Sequence, residues 1–268
     1  MTAESTVAAS SERRISFIDR HYHLLRRLHS LTGVAPIGLF LLPHLTTNSS
    51  IVWGRYLNES KFEEYGIPAA GAGIATFQHE VDFIHGLPAL IFIEIFVLWL
   101  PIAFHAGLGV YYARSGKSNV DRYRYQDNVR YSLQRLTGYV GFLFIFMHIA
   151  SLRWGWTFGG LMPTFDAMHA SSSVGAHLQS GSAGLLMAAF YLVCVLALVY
   201  HFANGLWTAA ITWGVTISAA AQRRWGVVCA GIGVALGAAA VTAIVGFATL
   251  NIDQAKDIET KMLAERAE

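Results

Sequence analysis

Charge is what this chain has least of. Asp, Glu, Lys and Arg make up 13% of its 268 residues, where a soluble domain carries roughly a quarter. So small a supply excludes a disordered or nucleic-acid-binding chain and argues against a water-soluble globule. Cysteine is nearly absent too. Cys194 and Cys229 both lie in apolar runs, so no disulfide framework is readable. Neither belongs to a C-x-x-C-H sequence, which excludes covalent attachment of a c-type haem. There is no cysteine cluster for iron–sulfur ligation and no glycine fingerprint for a dinucleotide. The first thirty residues lack an uninterrupted apolar core and do not read as a cleaved signal peptide. No repeat of fixed period and no Pro-rich or Gly/Ser-rich linker divides the chain.

What the chain has in quantity is hydrophobic residues, at 54%, with a mean hydropathy of +0.44. A helix needs about 20 apolar residues to cross a bilayer. Five stretches qualify, near 31–47, 87–112, 133–152, 183–213 and 225–250. The first is the shortest and borrows a turn from the sequence before it. The fold class is therefore all-α and integral to the membrane. The expected organisation is a polar and basic segment (1–28), a five-helix bundle (29–250) and an exposed C-terminal tail (251–268). Residues 48–86 and 153–181 read as long loops.

Basic residues set the orientation. Arg13, Arg14, Arg20, Arg26 and Arg27 precede the first span. Arg114, Lys117, Arg122, Arg124, Arg130 and Arg135 lie between the second and third, and Arg223 and Arg224 between the fourth and fifth. The other side holds only Arg55, Lys61, Arg153, Lys256, Lys261 and Arg266. Basic loops stay in the cytoplasm. The N-terminus is expected inside and the C-terminus outside, in a multi-pass protein of the inner (cytoplasmic) membrane.

Spans one to four each carry one deep histidine: His44, His105, His148 and His201. A polar side chain in hydrocarbon needs a partner, so histidines there are uncommon. At a rise of about 1.5 Å per residue, His44 lies roughly 22 Å and His148 roughly 20 Å from the inner boundary. His105 and His201, on descending helices, lie roughly 27 and 30 Å from the outer one. The four thus form two couples at two depths. Two facing histidines can hold a haem iron at both axial positions. Two stacked bis-histidine haems b follow, enclosed by the bundle. Gly33, Gly38, Gly107, Gly138, Gly141 and Gly205 would let a flat macrocycle approach the backbone. Pro43 and Pro101 would open the bundle by kinking it. A zinc site or proton relay is the competing reading, though it would gather its groups at one level.

The histidines sit in recognisable words. Arg-Arg-Leu-His-Ser (26–30) leads to Gly33 and His44, and Leu-Pro-Ile-Ala-Phe-His ends at His105. Leu-Gln-Arg-Leu-Thr-Gly (133–138) precedes His148. His-Phe-Ala-Asn-Gly-Leu-Trp (201–207) is followed by Thr-Trp-Gly (212–214). From about 26 to 216 the chain resembles the single-chain, five-helix, di-haem cytochrome b subunit of succinate dehydrogenase and fumarate reductase. The resemblance implies that His44 and His148 hold the distal haem and His105 and His201 the proximal one. It also implies a flavoprotein partner with FAD, an iron–sulfur partner, and menaquinone or another quinone as electron acceptor. Membrane lipid surrounds the whole.

Glu-x-Asp-Phe-Ile (80–84) resembles the distal menaquinone region of some family members. Glu80 is accordingly the leading proton donor and acceptor, with Asp82 and His85 after it. The plain alternative for Glu80 is a solvated loop acid. Glu94 is the sole acid well inside a span, and an intramembrane carboxyl is a functional candidate; otherwise it caps a neighbouring hydroxyl. His29, Ser30, Gln134 and Arg135 cluster at the inner boundary as donors for the proximal haem propionates. Where some fumarate-reducing relatives carry a second glutamate, this chain has Val199, which argues against that proton route. Two further readings stay open. One is the di-haem anchor of a formate dehydrogenase, nitrate reductase or hydrogenase, and the other a haem-free transporter.

Overall fold

A computed structural model describes residues 17–63, 66–115, 126–179 and 183–265, the side chains of 57–61 and 126–127 excepted. All regular structure among these residues is helical. The N-terminal residues 1–16, with Arg13 and Arg14, lie outside the described residues, as do Lys117, Arg122, Arg124 and Arg266. Five helical stretches are long and apolar enough to span a membrane: Tyr22–Tyr56, Leu90–Ser115, Asn128–Leu152, Gly184–Thr212 and Ala219–Ala248.

The chain enters through a short α1 (Phe17–Arg20) and α2 (Tyr22–Val34), which with α3 (Ile37–Glu63) makes the first span. The break between them has a simple cause. Pro36 has no N–H to continue the ladder, and Ala35 before it is extended, at φ −137° and ψ 120°. The expectation that this span is the shortest is corrected: at 35 residues it is the longest. Thr46, Ser49 and Ser50 look like the start of a loop, yet each hydroxyl bonds back to a carbonyl three or four residues earlier, at 2.7–2.9 Å. Asn48 does the same to the His44 carbonyl at 2.7 Å. Polar side chains satisfied in this way let the helix run on.

The expected loop 48–86 is therefore mostly helix. α4 (Ala72–His85) folds back on α3, and the approach is close. A Cβ on Gly54 would lie 2.6 Å from Thr76 Cβ, and one on Gly73 would collide with the Ile51 carbonyl. The second span is assembled from α5 (Leu90–Ile93), a widened π turn (Glu94–Trp99) and α6 (Leu100–Ser115). The widened turn comes just before Pro101, whose ring would otherwise meet the carbonyl four residues back. α7 (Gln126–Leu152), α9 (Gly184–Thr212) and α10 (Ala219–Ala248) complete the bundle, and Ser218 caps α10 by accepting from the Ala221 N–H.

The best-packed core lies at one end of the bundle, where span ends such as Phe247 of α10 meet the helices outside the spans. There α4 meets α8 (Ala170–Gln179) and α11 (Ile252–Glu265) over Ile67, Ile74, Phe77, Met162, Phe247 and Ile258. The expected exposed tail is corrected as well. Ala255, Ile258 and Glu259 of α11 are buried, because they share one helical face. Glu259 accepts from the Ser172 N–H at 3.0 Å and the Ser172 hydroxyl at 2.6 Å. Burial nevertheless raises its pKa. Buried Gln78 donates to the Ala167 carbonyl and accepts from the Ala170 N–H. These helices form a cap over the end of the bundle opposite its basic residues.

Candidate functional site

The bundle brings the four deep histidines together in two couples. His44 of α3 faces His148 of α7, with ring centroids 5.8 Å apart and planes at 85°. His105 of α6 faces His201 of α9 at 6.1 Å and 86°. Metal–imidazole bonds are about 2 Å long, so one ion bonded to a nitrogen of each ring fits such a separation. The zinc alternative finds less support. Among the described residues no three His, Cys, Asp or Glu side chains converge on one point.

At the His105–His201 couple, the backbone fixes each ring. His105 Nδ1 donates to the His29 carbonyl at 2.8 Å, and His201 Nδ1 donates to the Gln134 carbonyl at 3.0 Å. With Nδ1 spent on a carbonyl, Nε2 is the nitrogen left for a ligand bond. This is the usual second-layer arrangement for a metal-binding histidine. Glycine makes room for both rings. A Cβ on Gly33 would collide with the His105 imidazole, and one on Gly138 would come within 3.0 Å of His201 Cε1. Gly38 and Gly141 instead admit Phe202 and Leu198, while Gly107 has nothing within 4 Å.

His29 stacks flat on His105, with centroids 4.0 Å apart and planes at 10°. Its Nδ1, the Ser30 hydroxyl and the Tyr112 hydroxyl are all buried with no hydrogen-bond partner among the described residues. The Tyr112 ring lies 5.8 Å from that of His29, and orphaned polar atoms of this kind fit the acidic edge of a macrocycle. Gln134 is placed differently from the expectation that it reaches a propionate. Its amide donates to the His201 carbonyl at 3.0 Å and accepts from Asn204 at 2.8 Å, so it braces α7 against α9. Arg135 lies over the Tyr131 ring at 5.4 Å.

The His44–His148 couple is held by aromatic packing. Phe40 stacks on His44 and Phe144 on His148, at 5.2 and 5.6 Å. His148 Nδ1 is buried with no hydrogen-bond partner among the described residues. Tyr191 lies 6.0 Å from the His148 ring, and its hydroxyl meets His177 Nε2 at 3.2 Å. His177 belongs to the cap, and burial lowers its pKa.

Of the proton-handling candidates, Glu80 and Asp82 are half-buried and His85 is exposed, all near the C-terminal end of α4. Asp82 accepts from Gln78 at 2.9 Å. Glu94 is on a separate element and is already paired. Arg153 grips it with two bonds of 2.8 and 3.0 Å, and this carboxylate raises the pKa of Arg153. The alternative of a hydroxyl cap is not what the geometry gives. Trp154, next to Arg153 in the chain, packs against Trp99 and Trp156.

Sequence reasoning missed Arg153 as a partner, and it missed Gln78, His177 and Tyr191 altogether. Arg153 follows the third span directly, at the level of Glu94, and that placement was a readable signal. The other contacts join distant segments and have no local signature.

No protein-family model matches the chain. It is 36% identical over 198 residues to the succinate dehydrogenase cytochrome b558 subunit of Bacillus subtilis (strain 168), covering 74% of this chain and 83% of that protein. Together with the five apolar helices, this makes the chain a multi-pass protein of the inner membrane. It belongs to the cytochrome b subunit family of bacterial succinate dehydrogenase.

Proposed function

We propose that this chain is the membrane-anchor cytochrome b subunit of a succinate:quinone oxidoreductase, and that it binds two haems b and joins an iron–sulfur partner to a quinone. The family supports the succinate dehydrogenase reading over the formate, nitrate and hydrogenase alternatives, and the cytochrome b name of the relative supports haem over a haem-free transporter. The observation that carries the proposal is the meeting of four histidines in two couples. When bound, the two groups supply one-electron transfer along the bundle. The remaining chemistry belongs to the protein.

His105 and His201 hold the iron at the basic end, each imidazole set in tautomer and direction by a backbone carbonyl. His44 and His148 hold the one nearer the cap, walled by Phe40 and Phe144. His29, Ser30 and Tyr112 supply donors to the propionates of the first, and Gln134 keeps α7 and α9 in register beneath it. A quinone near the cap takes its protons from that side. Glu80 is the first donor, with Asp82 and His85 behind it, and Glu94 with Arg153 frames the entry from lipid.

The iron–sulfur subunit and the FAD-bearing flavoprotein dock at the basic, cytoplasmic end, with the N-terminus inside and the C-terminus outside. In that orientation each electron moves toward the positive side of the membrane, which favours full traversal by about 2.3 kcal/mol per 100 mV. Sealed vesicles test this. Succinate-to-menaquinone electron transfer is expected to fall when an uncoupler collapses the potential, while succinate oxidation by a soluble dye persists. Equal quinone reduction with and without the potential would overturn the transmembrane route.

A further inference from the structure

A groove of about 430 Å³ lies where α7, α9 and α10 meet, and none of the four deep histidines lines it. Its walls are apolar, with Leu196 and Ala203 on α9 and Gly226, Gly233 and Val234 on α10. Glycine keeps it narrow but open: a Cβ on Gly233 would approach Ala203 to 3.1 Å, and one on Gly226 would meet Trp207 at 3.5 Å. From Gly226 to Gly237 the α10 wall runs roughly 16 Å at 1.5 Å per residue. That is about one leaflet's share of the hydrocarbon core.

The groove has polar groups at the basic end. Arg130 donates through Nε to Asn204 Oδ1 at 3.0 Å and lies 3.8 Å over the Trp207 ring. Among the described residues, its guanidinium has no carboxylate within ion-pair distance. Tyr200 also lines the groove, and its hydroxyl is buried with no hydrogen-bond partner among the described residues. A guanidinium has five N–H donors, and among the described residues only one is used here. The basic end of an apolar groove thus holds a cation whose described partners, Asn204 and Trp207, are neutral.

We infer that this groove binds an anionic phospholipid of the leaflet at the basic end. Its phosphate accepts from Arg130 and from the Tyr200 hydroxyl, and one acyl chain lies along Gly226, Gly233 and Val234. Charge complementarity selects this occupant. A neutral quinone would use the hydroxyl but leave the cation unmatched, whereas a phosphate uses both and takes up the guanidinium fork. Basic pockets between spans on the cytoplasmic side recur as headgroup sites.

The test uses the intact purified complex and reads neither haem nor quinone chemistry. After detergent washing, retained phospholipids are extracted and identified. The complex is then titrated with phosphatidylglycerol or phosphatidylcholine while thermal unfolding is followed. Phosphatidylglycerol is expected to be retained and to bind about fivefold more tightly than phosphatidylcholine. Arg130→Gln should erase that preference. Because Arg130 also ties α7 to α9, Val234→Trp is the second variant. Val234 is 73% exposed, so the bulk fills the groove without disturbing the core, and retention should fall. Three results would each overturn the proposal: equal binding of the two lipids, phosphatidylglycerol retention unchanged in both variants, or quinone recovered in place of phospholipid.

Discussion

Gly33 and Gly138 act by having no side chain. Each sits where a Cβ would press on a histidine ring, and a displaced ring cannot meet its partner across the bundle. Gly33→Val is accordingly expected to cost the chain the haem held by His105 and His201 while sparing the other. Gly107→Ala, with nothing within 4 Å, should spare both. Haem content per chain, measured on the purified complex, checks this, and equal effects of the two substitutions would contradict it. The histidines were legible in the sequence, since four imidazoles in four successive apolar runs announce themselves and helix rise gives their depth. Their immediate partners were not. That His105 bonds the carbonyl of His29, 76 residues away, follows from how α2 packs on α6. Gln134 looked like a free donor because it lies at the inner boundary, and its engagement with Asn204 appears only once α7 lies against α9.

At the scale of the helix, the apolar runs located all five spans, and the errors arose where polarity was mistaken for a loop. Thr46, Asn48, Ser49 and Ser50 satisfy their own hydroxyls and amide along the helix, so the first span runs on past its apolar stretch. α11 hid a buried face inside a charged segment, and the Ser172–Glu259 pair that anchors it spans 87 residues. The Arg153–Glu94 pair joins the second span to the end of the third, with the carboxylate side chain 14% exposed and the guanidinium 43%. Removing Arg153 alone leaves a largely buried carboxylate unpaired, which costs more than losing the pair. Arg153→Ala should therefore lower the melting temperature further than the double variant Glu94→Gln with Arg153→Ala. A thermal unfolding series on the three proteins decides it, and equal losses for single and double variants would show that the pair carries little, as exposed pairs often do.

The whole molecule divides its labour between two ends. One is basic, with His29, Ser30 and Tyr112 presenting unspent polar atoms beside the stacked His29 and His105 rings. The other is closed by a cap of three helices whose buried Gln78, Glu259 and His177 hold it together through hydrogen bonds. Between them the spans leave much of their apolar surface exposed, and the second buries none of its most apolar window. The sequence conveyed the membrane class and the two levels of histidine, because both follow from composition and helix rise. It did not convey the cap, whose contacts depend on tertiary folding. The account rests on the two couples acting separately, and a reduced-minus-oxidised spectrum with haem quantification on the purified complex tests that most directly. Two b-type haems per chain are predicted for the native protein and one for His148→Ala, the survivor being the haem on His105 and His201. A chain with no b-type bands, or a His148 variant that keeps both haems, would contradict it.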